Sequence, residues 1–361
     1  MRKFNFSAGP SMLYEEVLRR VQDGLVDYNG TGMSVMEMSH RSKPYEAINA
    51  DAEALLRELM DIPSDYDVIF VQGGASMQFE AIPLNLSRDG AYPKGDYVIT
   101  GNFSEKAYKE AVKYGDMVAA ASSKDKNFTY IPALSADSFR KDADYVHICY
   151  NNTIFGSRFA SVPDTGGIPL VADLSSCILG QAVDVRDFSV IYAGAQKNIG
   201  PAGVTVVIVK KELANRAHPL CPTMMKWSTQ IKEKSLYNTP PAFSTYVATE
   251  TFKYVKELGG VAAVQKANEK KAGMLYDYID GTDFYNNPVE KPYRSIMNVT
   301  FTSPSKELDE QFAAEAAKVG LVSLKGHRLV GGMRASIYNA MPPAGIEALI
   351  AFMKDFERKN G

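Results

Sequence analysis

The feature that most constrains this chain is a series of short, continuously apolar runs that end at glycine or polar residues. They lie at residues 68–71, 97–99, 145–149, 170–172, 190–193 and 204–209. Strands buried on both faces have such continuous runs, whereas half-buried strands alternate apolar and polar residues. Residues with helical apolar spacing, as at 48–59, separate several of the runs. The pattern predicts an α/β fold with a mainly parallel sheet flanked by helices.

The chain is long enough for two units, since 361 residues with 45% hydrophobic content can fill one large core and a smaller one. From about residue 295 the pattern becomes strand, helix, strand, helix, which predicts a smaller α+β domain over residues 261–361. Residues 16–260 are predicted to form the large domain. Residues 215–244 contain four prolines and read as an irregular segment, which favours a functional or interface role.

Composition excludes several classes of function. The net charge is −2 and no long basic block occurs, so there is no electrostatic argument for nucleic-acid binding. The apolar runs are too short for a membrane span or a signal peptide. The three cysteines, Cys149, Cys177 and Cys221, lack the spacing of a zinc site and are expected to be reduced thiols. We expect a cytoplasmic protein without metal, nucleic-acid or membrane partners.

Two residues at predicted strand ends have the chemistry of a covalent cofactor site. Lys197 lies in a glycine-rich stretch between two buried runs, where it would be poorly solvated, and desolvation makes a lysine amine nucleophilic. Asp173 follows the run 170–172, where a carboxylate could keep a pyridinium nitrogen protonated. Taken alone, Lys197 could be a solvated surface charge, and Asp173 could cap a helix that begins at Ser175.

A glycine pair, Gly73-Gly74, joins the run 68–71 to a predicted helix that contains Ser76. Backbone N–H groups at a helix N-terminus bind phosphate well, and a serine hydroxyl can add to them. The same pair could be only a tight turn. The stretch is not a Walker loop, because no Gly-Lys-Ser/Thr sequence follows.

Two His-Arg pairs stand out in a chain with only 4 histidines: His40-Arg41 and His327-Arg328, with Arg334 shortly after the second. Arginine is suited to carboxylate and phosphate groups, and histidine can add a hydrogen bond. Each pair alone could be a surface charge cluster. Together they predict a site for a substrate with two anionic groups.

With these residues in view, the chain resembles the phosphoserine aminotransferases, which are class V pyridoxal-phosphate aminotransferases. The resemblance spans nearly the whole chain in order. It is carried by residues 4–10 (FNFSAGP), 38–41 (MSHR), 193–203 (AGAQKNIGPAG), 237–241 (YNTPP) and 331–340 (GGMRASIYNA).

The resemblance implies a fold-type-I transferase whose large domain has a seven-stranded sheet, with residues 1–15 as an N-terminal segment near the active site. It implies a homodimer with shared active sites and pyridoxal 5′-phosphate as cofactor. The implied reaction transfers the amino group of L-glutamate to 3-phosphohydroxypyruvate, giving O-phospho-L-serine and 2-oxoglutarate in serine biosynthesis. Many bacterial members also act on the phosphorylated hydroxythreonine intermediate of pyridoxine biosynthesis.

The resemblance also implies roles for individual residues. Lys197 would carry the cofactor as a Schiff base and act as the catalytic residue, and Arg334 would hold the substrate α-carboxylate. The other implied cofactor contacts are Ala75, Ser76, Phe103, Thr153, Asp173, Gln196, Asn238 and Thr239, with Asn238 and Thr239 coming from the neighbouring subunit. The implied contacts to the substrate phosphate, or to the glutamate side chain, are His40, Arg41, His327 and Arg328, some of them across the dimer interface.

Two positions depart from the family pattern. Phe103 stands where family members have a tryptophan over the cofactor ring; phenylalanine can stack but has no N–H. Ala8 stands where many members have a second serine, which puts a substrate contact from that side chain in doubt.

Four alternatives compete with this interpretation. Cysteine desulfuration needs a catalytic cysteine late in the chain, and none follows Cys221. An aminotransferase for small unphosphorylated substrates would not need two His-Arg pairs. A catalytically inactive cofactor-binding protein would not need Lys197, Asp173 and Arg334 together. A binding module without pyridoxal phosphate would differ from an enzyme in lacking absorbance near ~410 nm that glutamate bleaches.

Overall fold

The computed structural model describes residues 2–88 and 90–361. The helices are α1 Glu15–Asp23, α2 Lys43–Met60, α3 Gly74–Asn85, α4 Asn102–Ala111, α5 Trp227–Lys232, α6 Ala242–Glu257, α7 Gly260–Asp280, α8 Lys306–Lys318 and α9 Pro343–Asn360. The strands are β1 Phe4–Asn5, β2 Tyr66–Val71, β3 Lys94–Ile99, β4 Asp116–Ser122, β5 Tyr145–Cys149, β6 Leu170–Asp173, β7 Val190–Gly194, β8 Thr205–Lys210, β9 Asn298–Phe301, β10 Leu321–Val322 and β11 Met333–Ser336.

The main sheet has seven strands in the order β2-β8-β7-β6-β5-β3-β4. Strand β8 is antiparallel to both its neighbours, and the remaining pairs are parallel. The predicted seven-stranded, mainly parallel sheet is therefore confirmed. Because every strand except β8 points the same way, the carboxyl ends of β2, β3, β5, β6 and β7 meet at one edge, where ligands bind in such sheets.

Apolar residues of the strands alternate between two cores, one on each face of the sheet. In β2, Val68 and Phe70 pack into one cluster and Ile69 into the other. In β7, Ile191 and Tyr192 divide in the same way. Burial on both faces explains why these strands have continuous apolar sequences.

The C-terminal residues form a second, small sheet in which β11 pairs antiparallel with β9. The N-terminal strand β1 joins this part of the molecule, because it pairs parallel with β10. The backbone N–H of Ser336, at the end of β11, donates to the carbonyl of Phe6 at 3.2 Å. The first residues of the chain are thus hydrogen-bonded to elements more than 300 positions away.

One local expectation was wrong and two elements were missed. Residues 215–244, expected to be irregular, contain the helix α5. The sequence did not predict β4 or α4. Strand β4 lies at the edge of the sheet and has three consecutive alanines and mostly accessible residues, so it lacks a buried-strand pattern.

No helix in the described part of the chain is both long enough and apolar enough to cross a bilayer.

Candidate active site

The ends of five strands at one edge of the sheet place most of the predicted site residues together. Asp173 is the last residue of β6, and Lys197 follows β7 by three positions. Thr153 and Phe103 follow β5 and β3, and Ala75 and Ser76 lie in the first turn of α3, directly after β2. The parallel topology therefore gathers residues that are far apart in sequence.

The amine of Lys197 is held by two neighbours. Its Nζ donates a hydrogen bond to Oγ1 of Thr153 at 2.7 Å and lies 4.9 Å from the centre of the Phe103 ring. The Thr153 side chain is buried, whereas Lys197 and Phe103 are partly exposed. A ligand that enters the cleft can therefore reach an amine whose position is already fixed.

Burial is the main influence on the charge of Lys197. It lowers the pKa of the amine, the Asp173 carboxylate opposes this shift, and the Arg334 guanidinium adds to it. A lowered pKa increases the neutral fraction of the amine, which is the form that attacks a carbonyl carbon. The alternative of a solvated surface lysine does not fit these surroundings.

Asp173 is only 5% exposed. Burial raises its pKa, and the Lys197 charge acts in the opposite direction. Its Oδ1 accepts a hydrogen bond from the backbone N–H of Ser175 at 2.8 Å. Residues 175–180 form turns rather than the helix that a capping role would require. A cation beside a buried carboxyl group favours its charged form, and a protonated pyridine nitrogen would be such a partner.

The turn that leads into α3 has the shape of an anion cradle. Gly73 has φ +89°, and a Cβ there would lie 2.5 Å from the Cβ of Met77, so only glycine fits. The N–H groups of the first helical turn, at Ala75 and Ser76, point away from the helix body and are suited to a phosphate. Gln196 is partly exposed beside Lys197.

Arg334, on β11, reaches the same cleft from the C-terminal part of the molecule. Its Nη1 lies 3.4 Å from the carbonyl oxygen of Thr153, and burial lowers the pKa of the guanidinium. Its Nε is buried and has no hydrogen-bond partner among the described residues. A buried cation with unused donors is suited to a carboxylate ligand, which could form a bidentate pair with it.

His327 and Arg328 lie in the loop before β11. Nδ1 of His327 accepts a hydrogen bond from the backbone N–H of Leu329 at 3.3 Å, which leaves Nε2 to donate. Burial lowers the pKa of His327, and the charges of Arg334, Arg328 and Lys106 lower it further. The loop therefore brings a neutral imidazole donor close to several cations.

Four predicted site residues are not hydrogen-bonded to Lys197 in the described structure. His40 and Arg41 line a separate cleft of about 870 Å³ with Tyr237, and Nε2 of His40 is buried without a partner in the described structure. Asn238 lines another cleft beside β2, and the carbonyl of Thr239 accepts from Gln72 Nε2 at 2.9 Å. Among the described residues, no hydrogen bond or ion pair joins these four to Lys197, Thr153 or Arg334.

Comparison with known proteins agrees with this geometry. A family model described as aminotransferase class V matches residues 3–349. A phosphoserine aminotransferase of Bacillus cereus is 52% identical over 359 residues, which is 99% of each chain.

Two solved structures are similar over nearly the whole chain. A phosphoserine aminotransferase from Bacillus circulans subsp. alkalophilus has a TM-score of 0.96 and 47% identity, covering 100% of this chain and 99% of its own. A phosphoserine aminotransferase from Trichomonas vaginalis with bound pyridoxal phosphate has a TM-score of 0.92 and 36% identity, covering 98% of this chain and 100% of its own. The chain belongs to the class V aminotransferases, in the phosphoserine aminotransferase family.

The two departures from the family pattern have visible consequences in this class V aminotransferase. Phe103 keeps its ring beside the lysine amine but offers no donor of its own. At position 8 it is the backbone that is used, since the carbonyl of Ala8 accepts from the Tyr338 hydroxyl at 2.8 Å. The structural contact at position 8 therefore does not depend on a serine side chain.

The sequence analysis did not identify two residues next to the site of this class V aminotransferase, Ser11 and Lys106. Ser11 is hydrogen-bonded to the backbone of two consecutive site residues. Its N–H donates to the Gln196 carbonyl at 3.0 Å, and its hydroxyl donates to the Lys197 carbonyl. Lys106 was also missed, although its place three positions after Phe103 on a helix could have indicated that the two side chains meet.

The cysteines of this aminotransferase are poorly suited to thiol chemistry. The three cysteines are buried, and burial raises the pKa of each thiol. Within residues 2–88 and 90–361, no group of three His, Cys, Asp or Glu side chains is arranged to hold a metal ion.

Proposed function

We propose that this chain transfers the amino group of L-glutamate to 3-phosphohydroxypyruvate, producing O-phospho-L-serine and 2-oxoglutarate for serine biosynthesis. The observation that carries the proposal is the Lys197 amine fixed by Thr153, with Asp173 and Arg334 close enough to influence its charge. The 52% identity to a phosphoserine aminotransferase over the full chain supports the choice of substrates.

The residues present fit pyridoxal 5′-phosphate. When bound, this cofactor supplies an aldehyde for the lysine amine and a ring that accepts electrons from the substrate α-carbon. Asp173 would hold a proton on the ring nitrogen, Phe103 would cover the ring, and Thr153 would donate to the ring oxygen. The cofactor phosphate would lie on Ala75, Ser76 and Gln196.

Lys197 has two tasks in this proposal. Its Nζ would hold the cofactor covalently between turnovers. Once an amino substrate has replaced it, the free amine would take the proton from the substrate α-carbon and deliver it to the cofactor carbon that carried the aldehyde, as a general base and acid. The Thr153 hydroxyl would keep the amine near these atoms, and burial lowers the pKa of the amine, which favours the neutral form that accepts a proton.

Substrate recognition is divided between two groups of cations. Arg334 would bind the α-carboxylate, which both substrates share. His327 and Arg328 would bind the distal anion, which is a phosphate in one half-reaction and the glutamate side chain in the other. A His-Arg cluster suits this exchange, since it offers charge and donors without imposing one anion geometry.

The active enzyme in this proposal is a homodimer with shared sites. His40 and Arg41 do not reach the Lys197 cleft of their own chain, so a second copy would have to bring them to the substrate anion. Asn238 and Thr239 would likewise reach the cofactor phosphate of the neighbouring subunit. Exposed apolar side chains near these positions, Met36 at 59% and Tyr237 at 44%, support an interface there.

Further assignments complete the proposal. The domains are residues 16–260 and 261–361, with residues 1–15 as a segment near the active site.

The enzyme is cytoplasmic, and it also acts on the pair 4-phosphohydroxythreonine and 3-hydroxy-2-oxo-4-phosphobutanoate of pyridoxine biosynthesis. The extra CHOH unit of that pair lengthens the chain between the carboxylate and the phosphate but leaves both recognised anions in place.

The test is an assay of the purified protein with pyridoxal phosphate, glutamate and 3-phosphohydroxypyruvate. We expect 2-oxoglutarate and O-phosphoserine in equal amounts, and a loss of about 10⁴-fold in Lys197→Ala, at the upper end of the effect of a positioned acid–base group. Lys210→Ala, at the far end of β8, is the control and should remain active. A wild-type protein that binds the cofactor but makes neither product would overturn the proposal.

A further inference from the structure

Lys106 is a cation near the active site that takes no part in the function proposed above. It lies on α4, and its Nζ is 5.9 Å from the centre of the Phe103 ring. The same ring centre is 4.9 Å from the Nζ of Lys197. One aromatic side chain thus lies next to both the reacting amine and the ammonium of Lys106.

The loop of His327 and Arg328 shares an apolar cluster with α4. Val330 of this loop packs on the apolar cluster on which Phe103 also packs. The charge of Lys106 is among those that lower the pKa of His327, together with Arg334 and Arg328. Its distance from the Phe103 ring and its effect on His327 together place Lys106 at the rim of the Lys197 cleft, near the His327 loop.

Lys106 differs from the lysines that follow it in the chain. Lys109 pairs with Glu105 at 3.0 Å and Lys113 with Glu110 at 2.6 Å. Lys106 has no ion pair with any described residue, and its charge is close enough to His327 to lower the pKa of that imidazole. Cations gathered without acidic partners repel one another unless an anion is bound between them.

We propose that Lys106 binds the phosphate group of the phosphorylated substrate and contributes to the preference for phosphate over carboxylate at the distal position. This inference rests on the function proposed above. A phosphate monoester carries close to two negative charges at neutral pH, whereas the glutamate side chain carries one. An added cation therefore favours the phosphorylated substrate. It also supplies a donor beside a ring that, as phenylalanine, has none.

The experiment compares Lys106→Met with Lys109→Met, a control on the same helix that removes a lysine already paired with Glu105. Both half-reactions are measured by stopped-flow absorbance of the bound cofactor. Dissociation constants are measured for O-phosphoserine and glutamate. Lys106→Met should lower kcat/KM for 3-phosphohydroxypyruvate about 10-fold, which matches one charged hydrogen bond. The value for glutamate should change less than about threefold, and Lys106→Arg should restore most of the loss.

Two results would overturn the inference: equal losses for both substrates, or a Lys106→Met variant that behaves like Lys109→Met. If Lys106→Met binds the cofactor poorly, Lys106→Gln provides the same comparison with a polar side chain at this exposed position. Failure of the proposed function is distinguishable, because then the wild-type enzyme itself would not turn over 3-phosphohydroxypyruvate.

Discussion

The cleft around Lys197 and the surface around His40 differ in how complete each is within one chain. In the first, Lys197, Thr153 and Arg334 are already joined by short contacts. In the second, the His40 ring has a buried nitrogen without a partner in the described structure, and Arg41 is exposed. One chain therefore positions the residues proposed to take part in the chemistry. Part of the proposed substrate binding requires residues of a second chain.

The largest effect is expected from a substitution in the Lys197 cleft. Asp173→Asn keeps the shape of the side chain but removes the negative charge, and we expect kcat to fall on the order of 10³-fold, as for a lost electrostatic partner of the reacting group. Steady-state kinetics with saturating cofactor measure the effect.

Asp184→Asn is a matched control for this change. Asp184 also accepts a hydrogen bond from the backbone N–H two residues ahead, at 2.9 Å, but it is solvent-exposed. Its substitution should leave kcat within about twofold, as is usual for surface changes. Equal losses of kcat in the two variants would mean that Asp173 acts through its backbone hydrogen bond in the turn and not through its charge.

A second prediction tests whether the surface around His40 completes the active site of a partner subunit. Arg41→Ala should raise the KM for 3-phosphohydroxypyruvate about 30-fold, in the range for loss of a charged hydrogen bond, with a smaller effect on an unphosphorylated substrate. Mixed dimers of Arg41→Ala and Lys197→Ala chains should regain one intact site each, because the two residues of a site come from different chains. The assay is run on co-expressed, differently tagged chains.

A second mixture serves as the control. Arg334 and Lys197 lie in the cleft of one chain, so mixed dimers of Arg334→Ala and Lys197→Ala should regain nothing. Recovery in both mixtures, or in neither, would contradict the proposed difference between the two regions.

The smallest effect is expected at the contact that fixes the lysine amine. Thr153→Val removes the hydroxyl 2.7 Å from Lys197 Nζ, and a neutral hydrogen bond of about 1 kcal/mol corresponds to roughly a fivefold fall in kcat. Thr153→Ser keeps the hydroxyl and should stay close to wild type. If the serine variant lost as much as the valine variant, the methyl group and not the hydroxyl would be the important part of Thr153.

The same two regions show what a sequence can predict. Asp173 and Lys197 could be located because continuous apolar runs mark buried parallel strands, and the ends of such strands meet at one edge. The interpretation of His40 and Arg41 rested on residue type and family resemblance, which do not tell which chain they serve.

Other features left no readable pattern. The pairing of β1 with β10 joins two-residue strands more than 300 positions apart, too short for any periodicity. Strand β4 was missed because an accessible, alanine-rich edge strand lacks the apolar run of a buried one. Lys106 was missed because the helix α4, on which it lies three positions after Phe103, was itself not predicted.

The N-terminal segment has a consequence for engineering. The carbonyl of Phe6 is bonded to Ser336, two positions from Arg334, and Ser11 is bonded to the backbone of Gln196 and Lys197. Five peptide links thus tie the strand of the carboxylate-binding guanidinium to the loop of the reacting amine. A chain trimmed through this stretch would keep every reactive side chain and lose the tether that holds them in register.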